Sequence, residues 1–309
     1  MSVLVGTCSW TDKTLIACKR FYPPGCSTAE ARLRFYASRF PLVEVDSSYY
    51  AMPSVDNSMR WVERTPADFA FNIKAFRLLT NHPTQLVMLP KDIQEALAGM
   101  SKTRFYYRDL PQEVRVELWR RYREAVAPLK DAGKLRLVHF QFPPWVLRNR
   151  DGHDHVRHCV EMMEGHTVSV EFRNKVWFEG EHTASTLAFE RELGVVHTVV
   201  DAPQGFSNSV PQVWEVTHPE FAYVRLHGRN AATWDVKGST AASDRFNYDY
   251  PDGELAELAT NIVKLAGVGI ETHVVFNNNA EDQGQRNARS MMAELNRAGA
   301  STNAASTAS

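Results

Sequence analysis

Cysteine is scarce in this chain. Its four thiols, Cys8, Cys18, Cys26 and Cys159, are scattered, with no Cys-x-x-Cys pair among them. That usage argues against a disulfide scaffold and against a cysteine zinc site, and it fits reduced thiols in the cytoplasm. Long apolar runs are missing too: none approaches the ~20 residues that a membrane helix needs. The opening Met1-Ser2-Val3-Leu4-Val5-Gly6 has neither the charged start nor the small-residue cleavage site of a signal peptide. Charge of one sign is not in excess. A formal net charge of −1 leaves no whole-protein field to attract DNA, RNA or anionic membrane. No Walker loop, no Gly-x-Gly-x-x-Gly after a strand and no Gly-x-Ser-x-Gly elbow occurs. Membrane protein, kinase, dehydrogenase and serine hydrolase therefore lose support, and a soluble cytoplasmic protein is expected.

What is present suits a large core. The 309 residues are 44% hydrophobic and 23% charged, which is ordinary for a globular protein. Short runs rich in Val, Leu, Ile and Phe recur from one end to the other: Val3–Ser9, Leu42–Asp46, Phe69–Ala75, Leu135–Gln141, Thr167–Phe172, Val195–Asp201, Phe221–His227 and Ile270–Asn277. They read as buried parallel strands. Helical patterns alternate with them. Ser27-Thr28-Ala29-Glu30 predicts a capping box, and Pro111–Ala132 carries one apolar stripe from Val114 to Leu129 before Gly133. Further helices are predicted over Val156–Met163, Thr183–Leu193, Gly253–Ala266 and Asp282–Ala298. Two segments break the rhythm: the long connection His82–Leu110, and Ala202–Glu220 with its three prolines. Strands alternating with helices predict an α/β fold with a parallel sheet. No linker divides the chain. One domain over 1–298 is expected, followed by a disordered Ala/Ser/Thr tail over 299–309.

The period of two within the strands is the most informative pattern. Ser169, Glu171 and Arg173 share one face against Val170 and Phe172; Tyr223, Arg225 and His227 oppose Val224 and Leu226. Glu44 and Asp46 pair in the same way, as do Asn72 and Lys74, His139 and Gln141, His197 and Asp201, and His273 and Asn277. A barrel needs an apolar face toward its helices, so the polar face is assigned to the axis, crowded toward the C-terminal strand ends where barrel enzymes keep their sites. An open doubly wound sheet accounts for this less well, and a single (β/α)₈ barrel is predicted. Buried charges must be paired. Glu44, Glu171 and Asp201 are therefore expected to face Lys74, Arg173 and Arg225. A self-satisfied ion network with no ligand is the bland alternative.

The same residues resemble a known family. Gly6-Thr7-Cys8-Ser9-Trp10, Phe21-Tyr22-Pro23, Tyr36-Ala37 and Val43-Glu44-Val45-Asp46-Ser47-Ser48-Tyr49-Tyr50 are similar to the YecE-like barrel proteins (domain of unknown function 72). The likeness continues through Pro53-Ser54, Trp61, Thr65-Pro66, Phe71-Asn72-Ile73-Lys74 and Gln141-Phe142-Pro143-Pro144. Val170-Glu171-Phe172-Arg173 with Trp177, Arg225-Leu226-His227-Gly228-Arg229 and Phe276-Asn277-Asn278 complete it over nearly the whole chain. The resemblance implies a TIM-type barrel lacking a helix in its sixth crossover. It implies no reaction. Cys8-Ser9 stands where the family usually has Ser-Gly, and Asp46 where it tends to have Asn, a change that alters the charge of the mouth.

Arginine forks suit phosphate or carboxylate, so Lys74, Arg173, Arg225 and Arg229 are the expected anion contacts, with Arg229 in a loop after the seventh strand where barrels often hold phosphate. Gln141 and Asn277 are expected to add polar contacts, and Trp10, Tyr49 and Trp177 to add ring faces. Glu44, Glu171, Asp201 and His227 are the candidates for acid–base work, should the site be catalytic (a hydrolase, lyase or isomerase). A small anionic ligand leads. A metal-dependent phosphodiester hydrolase is an alternative, disfavoured because Lys74 and Arg225 would repel the ion. The other is a non-enzymatic barrel binding a nucleotide or short nucleic acid through its loop aromatics. No nucleotide-cofactor motif and no definite metal site are read, and His153-Asp154-His155 with His158 reads as a solvated helix start. Arg225→Ala is expected to abolish binding while leaving the fold.

Overall fold

The computed structural model describes residues 2–206, 208–234, 245–268 and 270–302. Eight parallel strands close into a ring: β1 (Ser2–Thr7), β2 (Leu42–Val45), β3 (Ala70–Lys74), β4 (Leu135–Phe142), β5 (Val168–Phe172), β6 (Val196–Asp201), β7 (Phe221–Leu226) and β8 (Glu271–Phe276). Closure is the pairing of β1 with β8, in register from Ser2↔Glu271 to Thr7↔Phe276. Each strand otherwise pairs with its neighbour in sequence. This is the TIM-type barrel that the alternation predicts.

Helices α1 (Ala29–Ala37), α2 (Val55–Glu63), α3 (Gln112–Asp131), α4 (Arg150–Met162), α5 (His182–Glu192), α6 (Asp252–Ala266) and α7 (Gln283–Arg297) follow every strand except β6. Thr28, one residue after the serine expected to cap α1, accepts from the Ala31 amide, and Glu30 pairs with Arg34 at 2.9 Å instead of reaching back. No helix occurs among the described residues between Ala202 and Glu220. The long connection after β3 holds a small hairpin, Thr84–Gln85 with Arg104–Phe105, and a short helix, Lys91–Leu97. Order extends past Gly299, because Ser301–Thr302 pair with Ser2–Val3, where β2 does not reach. The rest of the expected tail lies outside the described residues.

Alternation sorts the strand side chains into two layers. Val3, Val5, Val43, Val45, Phe71 and Ile73 join the helices in the main core. Leu4, Leu42, Ala70, Leu137, Val196 and Tyr223 fill the lower barrel. Above them the interior turns polar. Gly6 permits the tight β1–β2 approach, since a Cβ there would lie 2.0 Å from the Leu42 carbonyl oxygen.

Candidate functional site

Arg225 stands on the barrel axis with no solvent exposure. Its Nη2 meets Glu44 Oε1 at 2.6 Å, and its Nη1 meets Glu171 Oε2 at 2.5 Å. Glu44 also accepts from Tyr223 and, at 3.1 Å, from the Cys8 thiol. Glu171 is the hub. It accepts from Gln141 Nε2 at 2.7 Å, is ion-paired with Arg173 Nε, and lies 3.3 Å from His139 Nε2. Three strands that are not neighbours, β2, β5 and β7, bring these residues together across the barrel, because Glu44, Glu171 and Arg225 all point inward.

Electrostatics fixes their protonation. Burial opposes charge on Glu44, but Arg225 outweighs it and holds the carboxyl at about 2. Glu171 is likewise held well below the usual range, with Arg173 and Arg225 overcoming burial. His227 moves the other way: burial, then the adjacent Arg173, lowers it to about 3, so it is a neutral imidazole near pH 7. Its Nε2 lies 3.1 Å from Arg173 Nη2 and 3.5 Å from Glu171 Oε1, and its Nδ1 lies 2.7 Å from Asn277 Nδ2.

Over this network opens a cleft of about 420 Å³ at the C-terminal end of the strands, lined by Lys74, Gln141, Arg173 and Asn277 among others. Lys74 Nζ pairs with Asp46 Oδ1 at 2.8 Å and sits 4.6 Å over the Tyr49 ring. The acidic substitution noted at Asp46 thus supplies the lysine's counter-ion. Arg173 is gripped from behind by Glu171 and His227, while its Nη1 has no acceptor among the described residues.

Of the residues singled out from sequence, the structure gathers Lys74, Arg173, Gln141, Asn277 and Tyr49 at the cleft and Glu44, Glu171, Arg225 and His227 beneath it. The others go elsewhere. Asp201 does not face the interior cations; it binds Arg229 at 2.9 Å and accepts from Tyr250 at 2.5 Å and from Gln212. Arg229 turns outward with it, because Gly228, at φ +86°, reverses the chain just after His227. His197 also leaves the axis, pairing with Glu190 of α5 at 2.9 Å. Trp10 packs edge to face on Trp61 at 5.7 Å, and Trp177 stacks on Phe172 at 3.8 Å, both as core. His153 is no solvated face either, lying against Trp177 and Phe189. His82, Trp145, Arg245 and Phe246 line the cleft without having been foreseen. Trp145 had one usable signal: it follows β4 by three residues, at the same rim that marks Gln141.

Among the described residues, no group of three or more His, Cys, Asp or Glu is arranged to hold a metal, and no helix is long and apolar enough to cross a membrane.

Comparison with known proteins places this geometry among relatives. A family model described as "Protein of unknown function DUF72" matches residues 4–309. The chain is 30% identical over 292 residues to the UPF0759 protein YunF of Bacillus subtilis (strain 168), covering 94% of this chain and 93% of that one. A crystal structure of a DUF72 family protein from Enterococcus faecalis V583 superposes with TM-score 0.77 at 26% identity, covering 95% of each chain. Another, from Thermotoga maritima MSB8, gives TM-score 0.74 at 26% identity, covering 96% of this chain and 100% of that one.

Proposed function

The chain belongs to the DUF72 family, and we propose that it binds a small anionic ligand, bearing a phosphate or a carboxylate, at the C-terminal mouth of its barrel. The observation that carries this reading is the posture of Arg173. Its guanidinium is anchored by a buried carboxylate behind it and keeps Nη1 without an acceptor among the described residues, on a cleft shared with Lys74. A fork held in this way is pre-organised for two oxygens of an anion. Arg245, over the Trp234 ring at 5.5 Å, adds a further cation to the same cleft.

Binding is better supported than proton transfer. Glu44 and Glu171 are pinned as carboxylates by arginine, so they act as counter-ions; a general acid or base needs a pKa near the working pH. The metal-dependent hydrolase reading has lost Asp201 from its ligand set. The four free thiols fit a reducing compartment, and the proposal extends to a cytoplasmic location.

A thermal-shift series with inorganic phosphate, organic monophosphates and carboxylates tests this reading. An anion at a hundred times its dissociation constant adds about 2.7 kcal/mol of stability. The expected result is a shift that disappears in Lys74→Met and Arg173→Met but survives in Arg229→Met. A flat series, or a shift indifferent to both cleft variants, overturns the proposal.

A further inference from the structure

Rings wall the mouth as well as cations. On one side Tyr49 and Tyr50, after β2, continue through His82, after β3, to Trp145, after β4. Edge-to-face contacts link them, with centroids at 5.0 Å for Tyr49–Tyr50, 5.1 Å for Tyr49–His82 and 5.6 Å for His82–Trp145. Half of Trp145 and 44% of Tyr50 remain exposed, so these faces are not used up in the core. Trp145 is nevertheless held in place, its indole N–H donating to the Asn81 carbonyl at 2.9 Å. Burial and the nearby Lys74 depress His82 to about 3, which leaves the wall without charge of its own.

A second group of rings comes from the connection after β7. Trp234 and Phe246 meet edge to face at 6.2 Å, and Phe246 lies 5.7 Å from His227. In a closed ring whose strands follow sequence order, β3 and β7 are diametrically opposed. The two aromatic groups therefore rise from opposite rims, and both line the cleft that holds Lys74 and Arg173. Besides Arg173 Nε, which is ion-paired with Glu171, three polar atoms of that lining are buried without a hydrogen-bond partner among the described residues: Trp234 Nε1, Asn208 Oδ1 and Asn279 Oδ1. Trp234 is only 1% exposed, and its N–H has no acceptor among the described residues.

We propose that the ligand carries its anionic group on a planar ring, as an aryl or heteroaryl phosphate or carboxylate. The ring lies between the Tyr49–Tyr50–Trp145 side and the Trp234–Phe246 side, with the anion on Arg173 and Lys74. Ring heteroatoms or substituents meet the unpartnered Trp234 N–H and asparagine oxygens. A cleft of about 420 Å³ is the size for one small molecule of this kind. An alkyl phosphate would leave both aromatic sides unused. This inference rests on the anion-site reading above and names the chemistry of the rest of the ligand.

Calorimetric titration of the full chain with inorganic phosphate, propyl phosphate, glucose 6-phosphate, phenyl phosphate and benzoate separates the two. The expected result is that phenyl phosphate binds about ten-fold tighter than propyl phosphate or glucose 6-phosphate. Trp145→Ala, at a half-exposed position that spares the fold, should erase most of that preference and leave inorganic phosphate unchanged. Lys74→Met should weaken every anion alike. Equal binding of phenyl, propyl and sugar phosphates, all lost in Lys74→Met, overturns the ring inference and keeps the anion site. Preference for the sugar phosphate also overturns it. No binding by any of the five overturns both.

Discussion

Inside the barrel, Glu44, Glu171, Arg225 and Arg173 form a chain of ion pairs whose last cation reaches the cleft, whereas on the helix-facing side of β6, Glu190–His197 and Asp201–Arg229 are closed on protein partners. Both regions are buried and charged, and both come from the same period-two stripes. Their difference lies in what the neighbouring backbone needs. Among the described residues no helix covers β6 on its C-terminal side, and the segment that follows it has backbone groups to satisfy. His197 lies 3.1 Å from the Val213 carbonyl, its amide donates to Thr217, and Gln212 donates to Asp201. Polar side chains on β6 thus replace a helix's hydrogen bonds. Those on β2, β5 and β7 face a ring of strands already paired, so they pair with one another and leave Arg173, just beyond β5, to reach the mouth.

The largest effect should follow from breaking the inner region at its centre. Arg225 reaches the axis as expected, and its lack of exposure makes a loss of stability, rather than an unaffected fold, the expected outcome of Arg225→Ala. Removing it strands two buried carboxylates, at a cost of about 3–5 kcal/mol. Urea unfolding should show that loss, while a Glu44→Gln, Arg225→Met double variant recovers part of it. A single variant as stable as the parent would mean that the inner charges are not mutually dependent.

How far these two regions could be told apart from sequence has a physical limit. Alternation placed Glu44, Lys74, Glu171, Arg173, Arg225 and His227 correctly, because each opposes a Val, Leu, Ile or Phe that must meet a helix. On β6 the argument inverts. Val196, Thr198 and Val200 alternate with His197 and Asp201, and valine suits either layer, so hydrophobicity alone does not choose the face. Glu190, the partner that settles His197, comes from a helix whose docking no strand period reveals. Loop residues carry no period at all, which is why His82 and Arg245 went unseen. Trp10 and Trp177 misled for the converse reason: a large ring just beyond a strand end serves the core as readily as a ligand.

A smaller loss is expected from the outer region. Asp201→Ala leaves Arg229, Tyr250 and Gln212 without their common acceptor. Hydrogen bonds to a charged group set the scale at about 2–3 kcal/mol. Anion binding should be unchanged, because Asp201 lies on the far side of the strand from the cleft. Calorimetry and urea unfolding on the same sample read both quantities. Lost anion affinity in a folded Asp201→Ala protein would erase the functional division between the regions.

The finest separation is by pH, where the two regions carry histidines shifted in opposite directions. Burial opposes charge on His197, but Glu190, with Glu215 farther off, outweighs it and raises the imidazole. Its stabilisation is therefore complete below the unfolded value of about 6.5 and is lost as pH rises through the folded one. His227, lowered to about 3, refuses a proton that the unfolded chain accepts, so its contribution falls as pH drops from about 6.5 toward 3. Unfolding free energies of the parent, His197→Gln and His227→Asn should reveal both slopes. The parent's advantage over His197→Gln should shrink as pH rises above about 6.5, and its advantage over His227→Asn should shrink as pH falls below about 6.5. Each change should be on the order of 1 kcal/mol per pH unit, the limit set by a single proton. Parallel slopes in the two variants would show that the regions share one electrostatic environment and that the comparison fails.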